Sequence, residues 1–257
     1  MINLESGSSN GNQSRDRNQR HLERGVADLL PDGNVAQYAG TAMIRCVLHD
    51  KIVSLKKTRF TKMLIEANGL DPDDFRSWLF CPGMRFHSLD KWWGDLGRRD
   101  FPHEGIDFCL YRDGSGRVRR LDHDTRIPVM HDGVVRSVFA DYLGQAVVIQ
   151  HKKTQPEIDT LVSIYAHTRP LDHIKPGVIL SLGDIIATIA DTSRSKANIL
   201  PHLHVTFGLP SPELIFEKFI WNDIRDPGLV DLLNPQGAID WPWLALDPQK
   251  TKRLCPD

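Results

Sequence analysis

Two short stretches hold residue types that could bind a metal ion or move protons. In "PHLHVTFG", residues 201–208, two histidines stand one residue apart directly after a proline. In "FPHEGIDF", residues 101–108, His103 and Asp107 are four positions apart with Gly105 between them. A histidine, a carboxylate and a second histidine make the ligand set of many catalytic zinc sites, which keep water in the fourth position. Zinc lowers the pKa of bound water and polarises a carbonyl, while a histidine titrating near neutrality can take up and deliver protons. His167, closing "SIYAHT" at 163–168, could reach the same groove. HxxxD and HxH each arise by chance; their order in one β-rich stretch, with "YAH" between them, is far more specific.

These residues must be positioned by the elements that carry them. Alternate side chains of a strand share a face. His202 and His204 therefore point one way and Leu203, Val205 and Phe207 the other. The apolar set reads as the buried face, which leaves the imidazoles on a more open surface. Both histidines face alike, so spacing does not decide which of them would complete the ligand set. On a continuous strand His103 and Asp107 would lie roughly 13 Å apart at ~3.3 Å per residue, too far to share an ion. A bend at Glu104–Gly105, with glycine supplying unusual backbone angles, is expected to close that gap. Asp107 then lies on the open side, away from Ile106, Phe108 and Leu110. Cys109 shares that parity and reads as a semi-buried thiol, and Glu104 reads as a spectator pointing away from His103. His21, His49, His87, His123, His131, His151 and His173 stand beside charged or turn residues and read as surface histidines.

The chain has 257 residues, 40% hydrophobic and 25% charged, ordinary for a soluble globular protein. A net charge of −1 gives no basic excess of the kind that marks nucleic-acid binders. No apolar run approaches the ~20 residues that span a bilayer. The first thirty residues show neither an apolar core nor a cleavage-like site, so no secretory signal is visible. The 4 cysteines are scattered without a CxxC pair, which excludes a zinc ribbon or a dense disulfide framework. A Cys46–Cys81 bridge is conceivable, but reduced thiols are the expectation.

Four regions follow from texture: a polar N-terminus over 1–40, a partly helical extension over 41–82, a β domain over 83–210 and a partly helical C-terminal wrap over 211–257. Residues 1–24 are almost free of apolar side chains and are expected to be disordered, with order beginning near residue 40. Phe60, Met63, Leu64 and Ala67 fall at helical spacing, with Gly69 as the stop. "DPDDFRSWLF" reads as a second helix, with Asp71 as N-cap, Pro72 at the first position and Phe75, Trp78 and Leu79 on one stripe. Beyond Gly83, "GIDFCL", "GVVRSVF", "GQAVVIQH", "TLVSIYAH", "GVILSL", "DIIATIAD" and "HLHVTFGL" are Val/Ile-rich runs between turn residues. The fold class is mainly β, an antiparallel sandwich or barrel-like sheet. "PELIFEKFIW" reads as a helix and "DWPWLALDPQ" as a tail wrapping the surface. The hairpin "KPGVILSLGDIIATI" has the texture of a lipoyl or biotinyl carrier, but a carrier needs its lysine at a tight turn and Lys196 lies in a long polar loop.

Taken in order, these stretches resemble the M23 metallopeptidases of LytM or lysostaphin type. "HEGIDF" resembles their HxGxD box, "TRIPVMHDGVV" and "LGQAVVIQH" the strands that follow, "SIYAHT" the YAHL box, "IKPGVILSLGDIIATIADT" the next hairpin and "PHLHVTF" the HxH box. The likeness covers roughly residues 83–209. It implies a LytM-type β-sheet catalytic domain with one zinc ion bound by His103, Asp107 and His204. His167 and His202 are then the unliganded pair that handles protons and steadies the oxyanion. It further implies an endopeptidase hydrolysing peptide cross-links of bacterial peptidoglycan through a metal-activated water, with cross-link or stem peptides as substrate and the cell envelope as setting. A second expectation is a catalytically silent LytM-like module that regulates a cell-wall amidase. Such modules typically lack some ligands, whereas all five positions are present here. The chain departs from the family in "DTSRSKANILPHLH", which replaces a glycine-rich approach, in Thr206 where glutamate is frequent, and in the enlarged loop "YRDGSGRVRRLDHD".

Overall fold

The computed structural model describes residues 47–48 and 51–247. The expectations for residues 1–24, for the onset of order near residue 40 and for a Cys46–Cys81 bridge lie outside the described residues. β1 (Val47–Leu48) and β2 (Lys51–Ile52) form a small antiparallel pair. α1 (Phe60–Ala67) follows and buries Phe60, Met63 and Leu64 of the expected stripe, with Ile65 beside them, while Ala67 is only half-buried. Its first turn is anchored from far along the chain, where Asp240 Oδ1 accepts the Thr61 N–H at 2.9 Å. It ends at Asn68, and Gly69 takes the left-handed φ of +63° that glycine tolerates without strain.

β3 (Phe75–Phe80) lies where a second helix is expected. Asp71 does not cap a helix: its Oδ1 accepts the Asp73 N–H at 2.9 Å in a local turn, the competing use of such side chains. The apolar run then enters a strand buried on both faces, with only Arg76 exposed. Trp78 packs edge-on against Phe108 at 4.8 Å, and Phe75 stacks on Tyr111 at 4.3 Å. Tertiary packing on both sides has overridden a local pattern that fits either period.

The remaining strands are β4 (Ile106–Phe108), β5 (Leu110–Asp113), β6 (Val118–Arg120), β7 (Arg126–Pro128), β8 (Gly133–Ala140), β9 (Gln145–Gln155), β10 (Ile158–Pro170), β11 (Ile179–Leu180), β12 (Ile185–Ile189), β13 (Leu203–Pro210), β14 (Val230–Leu233) and β15 (Trp243–Ala245). The Val/Ile-rich runs all appear as strands, and the domain is mainly β. A 4-stranded sheet runs β15–β3–β5–β6, with β15 parallel to β3. Within "DWPWLALDPQ", expected to wrap the surface, Trp243–Ala245 instead form the edge strand of this sheet, and Trp241 Nε1 donates to the Phe75 carbonyl at 2.7 Å.

The 9-stranded sheet has the path β11–β8–β9–β10–β12–β7, with β13 also paired to β10, β4 and β14. Its two faces are both covered. Val147, Ile149, Leu161, Tyr165, Leu203, Val205 and Phe207 join the main core, which continues through Phe108 to Phe60 and Trp78. Ala146, Val148, Val162, Ile164 and Ala166 face the other way, under Phe216, Phe219, Ile224 and Val230. "PELIFEKFIW" does this without forming a helix of its own. It contains a 3₁₀ turn at Phe216–Lys218, with α2 (Trp221–Ile224) starting at its end. The three-residue spacing of Phe216 and Phe219 suits such a turn, which eclipses i and i+3.

One histidine expected at the surface is fully buried. His151 Nδ1–H donates to the Asp132 carbonyl at 2.8 Å, and Nε2 lies 2.6 Å from Ser163 Oγ. Burial pushes its pKa from 6.5 down to about 4. The unfolded chain takes up this proton near the ordinary histidine pKa, whereas the folded chain resists it until about pH 4, so acid favours unfolding. Between pH 6.5 and about pH 5 this residue should remove about 2 kcal/mol of stability. Urea unfolding at the two pH values checks this, and His151→Gln should flatten the dependence.

Candidate metal centre

The site is built where β4 meets β13. His204 is the direct cross-strand partner of Asp107, and on its other edge of Ala166 in β10. His103 lies just before β4, behind a bend at Glu104–Gly105. That bend brings His103 Nε2 to 3.1 Å from Asp107 Oδ1. Gly105 is required for a different reason from the one its sequence context suggests. Its φ is not in the left-handed region; a Cβ there would sit 2.2 Å from the Val205 carbonyl oxygen and 2.8 Å from His204 Nε2. The glycine lets the two backbones touch.

Neither histidine of the pair lies on an open surface: His202 is 1% and His204 2% exposed. Asp107, expected on the open side, is likewise buried. The cause is the segment after residue 211, which roofs the face that strand parity alone leaves bare. Trp221 is 5.5 Å from the His204 ring and stacks on His167 at 6.0 Å and 17°. Glu104, expected to be a spectator, is buried beneath it, ion-paired with Arg225 Nε and 3.3 Å from Trp221 Nε1.

The donor atoms of His103, Asp107 and His204 all lie within 4.8 Å of one another. His103 Nε2 and His204 Nδ1 are 2.9 Å apart, and Asp107 Oδ1 is 2.9 Å from the latter. The outer ring nitrogens are already engaged. His103 Nδ1 faces the Arg85 carbonyl at 3.1 Å, and His204 Nε2 faces Thr206 Oγ1 at 2.8 Å. A carbonyl only accepts, so His103 Nδ1 carries the proton and its Nε2 presents a bare lone pair. With Nε2–H of His204 given to Thr206, two imidazole lone pairs and a carboxylate converge on one point. Such a cluster is unfavourable without a cation and suits a zinc ion, whose ligand histidines characteristically donate their outer N–H. The set can hold one zinc ion through three protein ligands, the number found in catalytic sites.

Electrostatics agree. Burial raises the Asp107 pKa, but the flanking imidazoles, whenever they carry the extra proton that a cation would replace, outweigh it and hold the carboxyl well below its usual range. Burial pushes His103 down, and His202 down to about 3, so both rings are neutral and offer lone pairs. His202 Nδ1–H donates to the Leu200 carbonyl at 2.8 Å, which leaves Nε2 free, 3.9 Å from Asp107 Oδ1. His167 is 4.8 Å from His202 ring to ring. All five sequence candidates thus share one site, three converging and two alongside.

Sequence reasoning missed the supports. Trp92, fully buried, donates Nε1–H to Asp107 Oδ2 at 2.7 Å and packs edge-on against His202 at 5.0 Å. Arg99 stands 3.7 Å from the same oxygen. Together they turn Oδ1 alone toward the two histidines. Trp92→Phe should weaken zinc binding about 10- to 100-fold, the usual cost of removing an outer partner of a ligand, and competition with a chelator measures it. The only local signal for Trp92 is a tryptophan pair in the otherwise polar "DKWWGD".

The model of peptidase family M23 matches residues 102–210. No curated protein sequence matches the chain. Among solved structures, Helicobacter pylori Csd3 is 19% identical, the match covering 70% of this chain and 39% of that one, with a TM-score of 0.35. The catalytic domain of lysostaphin from Staphylococcus simulans is 15% identical over 63% of this chain and 86% of its own, with a TM-score of 0.35. An NMR structure of lysostaphin is 20% identical over 50% of this chain and 49% of its own, with a TM-score of 0.33. The chain thus spans under half the length of Csd3 and of that lysostaphin chain. The match to the peptidase family M23 model over 102–210 takes in all five candidate site residues, four histidines and one carboxylate.

Proposed function

We propose that this chain is a zinc-dependent endopeptidase acting on the peptide cross-links of bacterial peptidoglycan. The observation that carries the reading is the convergence of the His103, Asp107 and His204 donor atoms beside two further imidazoles. His103, Asp107 and His204 hold the ion, which when bound supplies Lewis acidity toward water and the scissile carbonyl. His202, neutral and with Nε2 free, takes the proton of the attacking water and returns it to the leaving amine. His167, once its ring also binds a proton at Nε2, donates to the oxyanion that develops on the carbonyl. Trp221 lies stacked over one face of the His167 ring and keeps water from that side. The peptidoglycan substrate is drawn from the family. Among the described residues, no helix is long and apolar enough to cross a membrane.

The test is digestion of purified peptidoglycan followed by mass analysis. Conversion of cross-linked dimers to monomers supports the reading and names the bond; intact dimers with a zinc-loaded chain contradict the substrate.

A further inference from the structure

His167 sits at an irregular point of β10. One edge of that strand pairs with β13 through Ala166 and then with β12 from Thr168, and a register shift against β9 falls between Tyr165 and Thr168. The extra residue makes a β-bulge, a device that re-aims a side chain. At this bulge His167 takes a φ of +59°, uncommon for any residue but glycine and costly unless its surroundings hold it.

One side chain does the holding. Asp141 Oδ2 accepts the His167 backbone N–H at 2.6 Å, and Asp141 Oδ1 lies 3.2 Å from His167 Nδ1. The carboxylate is fully enclosed, and Oδ1 also accepts the N–H groups of Leu143 and Gly144 at 2.8 and 2.7 Å. The ring nitrogen is within ion-pair reach but off the line of a hydrogen bond, and it is buried with no other partner. A small rotation of the ring, which Trp221 flanks on one face, would align it.

We infer that Asp141 is a positioning residue for His167: its carboxylate fixes the proton of the ring on Nδ1 and so presents Nε2 to the groove. The two unliganded imidazoles are then set by different anchors. His202 Nδ1–H is held by a neutral carbonyl and His167 Nδ1–H by a carboxylate, which offers a counter-charge when Nε2 also binds a proton. Burial raises the Asp141 pKa, but the contact with His167 and the backbone N–H bonds outweigh it, down to about 2, so the carboxylate is charged at neutral pH. Nothing local predicts the pairing. The partners stand 26 positions apart, with β9 and most of β10 between them.

This inference rests on the proposed role of His167, and its test separates the two. In the zinc-loaded full chain, long-range ¹H–¹⁵N correlation should show the wild-type His167 protonated at Nδ1. In Asp141→Asn, whose remaining oxygen can keep the His167 N–H while its NH2 replaces Oδ1 beside the ring at the cost of the Leu143 and Gly144 N–H bonds, the proton should move to Nε2. Zinc content should stay unchanged and kcat on peptidoglycan should fall about 10²-fold or more, with KM within about twofold. A wild-type ring protonated only at Nε2 overturns the inference without any variant, as does an unchanged tautomer in a folded Asp141→Asn. A wild type with the expected tautomer but no cleavage would retain the pairing and remove the endopeptidase reading.

Discussion

Asp107→Ala should leave the chain with almost no zinc, where the wild type carries about one ion, and peptidase activity should disappear with it. The expectation comes from the place of this carboxylate. Oδ1 lies within 3.1 Å of both His103 Nε2 and His204 Nδ1, and it brings the only negative charge among the three donors. Without it, two neutral imidazoles remain, a weak pair for a dication. The substitution also removes the carboxylate that Arg99 Nη2 faces at 3.7 Å and the acceptor of Trp92 Nε1–H, which weakens the fold around the site, while Arg99 Nη1 still donates to the Gly83 and Asp90 carbonyls. Asp107→Asn separates the two effects. Its amide oxygen still accepts from Trp92 Nε1–H, so the fold should persist, while zinc still falls sharply because a neutral amide is a poor ligand. Metal analysis beside a circular-dichroism melt reads both. Equal zinc in wild type and Asp107→Asn would refute the ligand assignment.

His202→Ala should do the opposite: retain its zinc and lose turnover by about 10²- to 10⁴-fold, the range that a positioned acid–base group contributes. His202 and His204 project from one strand edge in the same direction, yet the structure separates their surroundings. His204 Nδ1 points to the shared centre, while His202 Nδ1–H is tied back to its own chain at Leu200. His202 is packed edge-on between Trp92 and His167, beside the donor cluster rather than within it. If His202→Ala loses metal and His204→Ala keeps it, the two histidines have been assigned in reverse.

Much of this site is legible in the sequence because its signals are local or repeat with period two. Val/Ile runs between turn residues mark β8, β9, β10, β12 and β13, and alternation correctly divides His202 and His204 from Leu203, Val205 and Phe207. What alternation does not reveal is which face is covered. The apolar face joins the core as expected, but the opposite face is also buried, beneath Phe216, Phe219 and Trp221 from a segment whose own pattern suggests an independent helix. β3 illustrates the same limit. Phe75, Trp78 and Leu79 satisfy a helical stripe, and the partners on its two edges, β5 and, some 165 residues downstream, β15, decide for a strand. The supports of the site are the least legible part. Trp92, Arg99, Asp141 and Arg225 reach Asp107, His167 and Glu104 across loops, and no spacing rule links residues that meet only in the folded chain.

The central claim, that this metal centre cuts peptide bonds of the cell wall, is tested most directly by counting new amino groups released from purified peptidoglycan in zinc-supplemented buffer. Wild type and His204→Ala are run side by side at equal protein. The account predicts steady release by the wild type and none above background by His204→Ala. Release by both at the same rate, or by neither when the wild type is fully zinc-loaded, would contradict it.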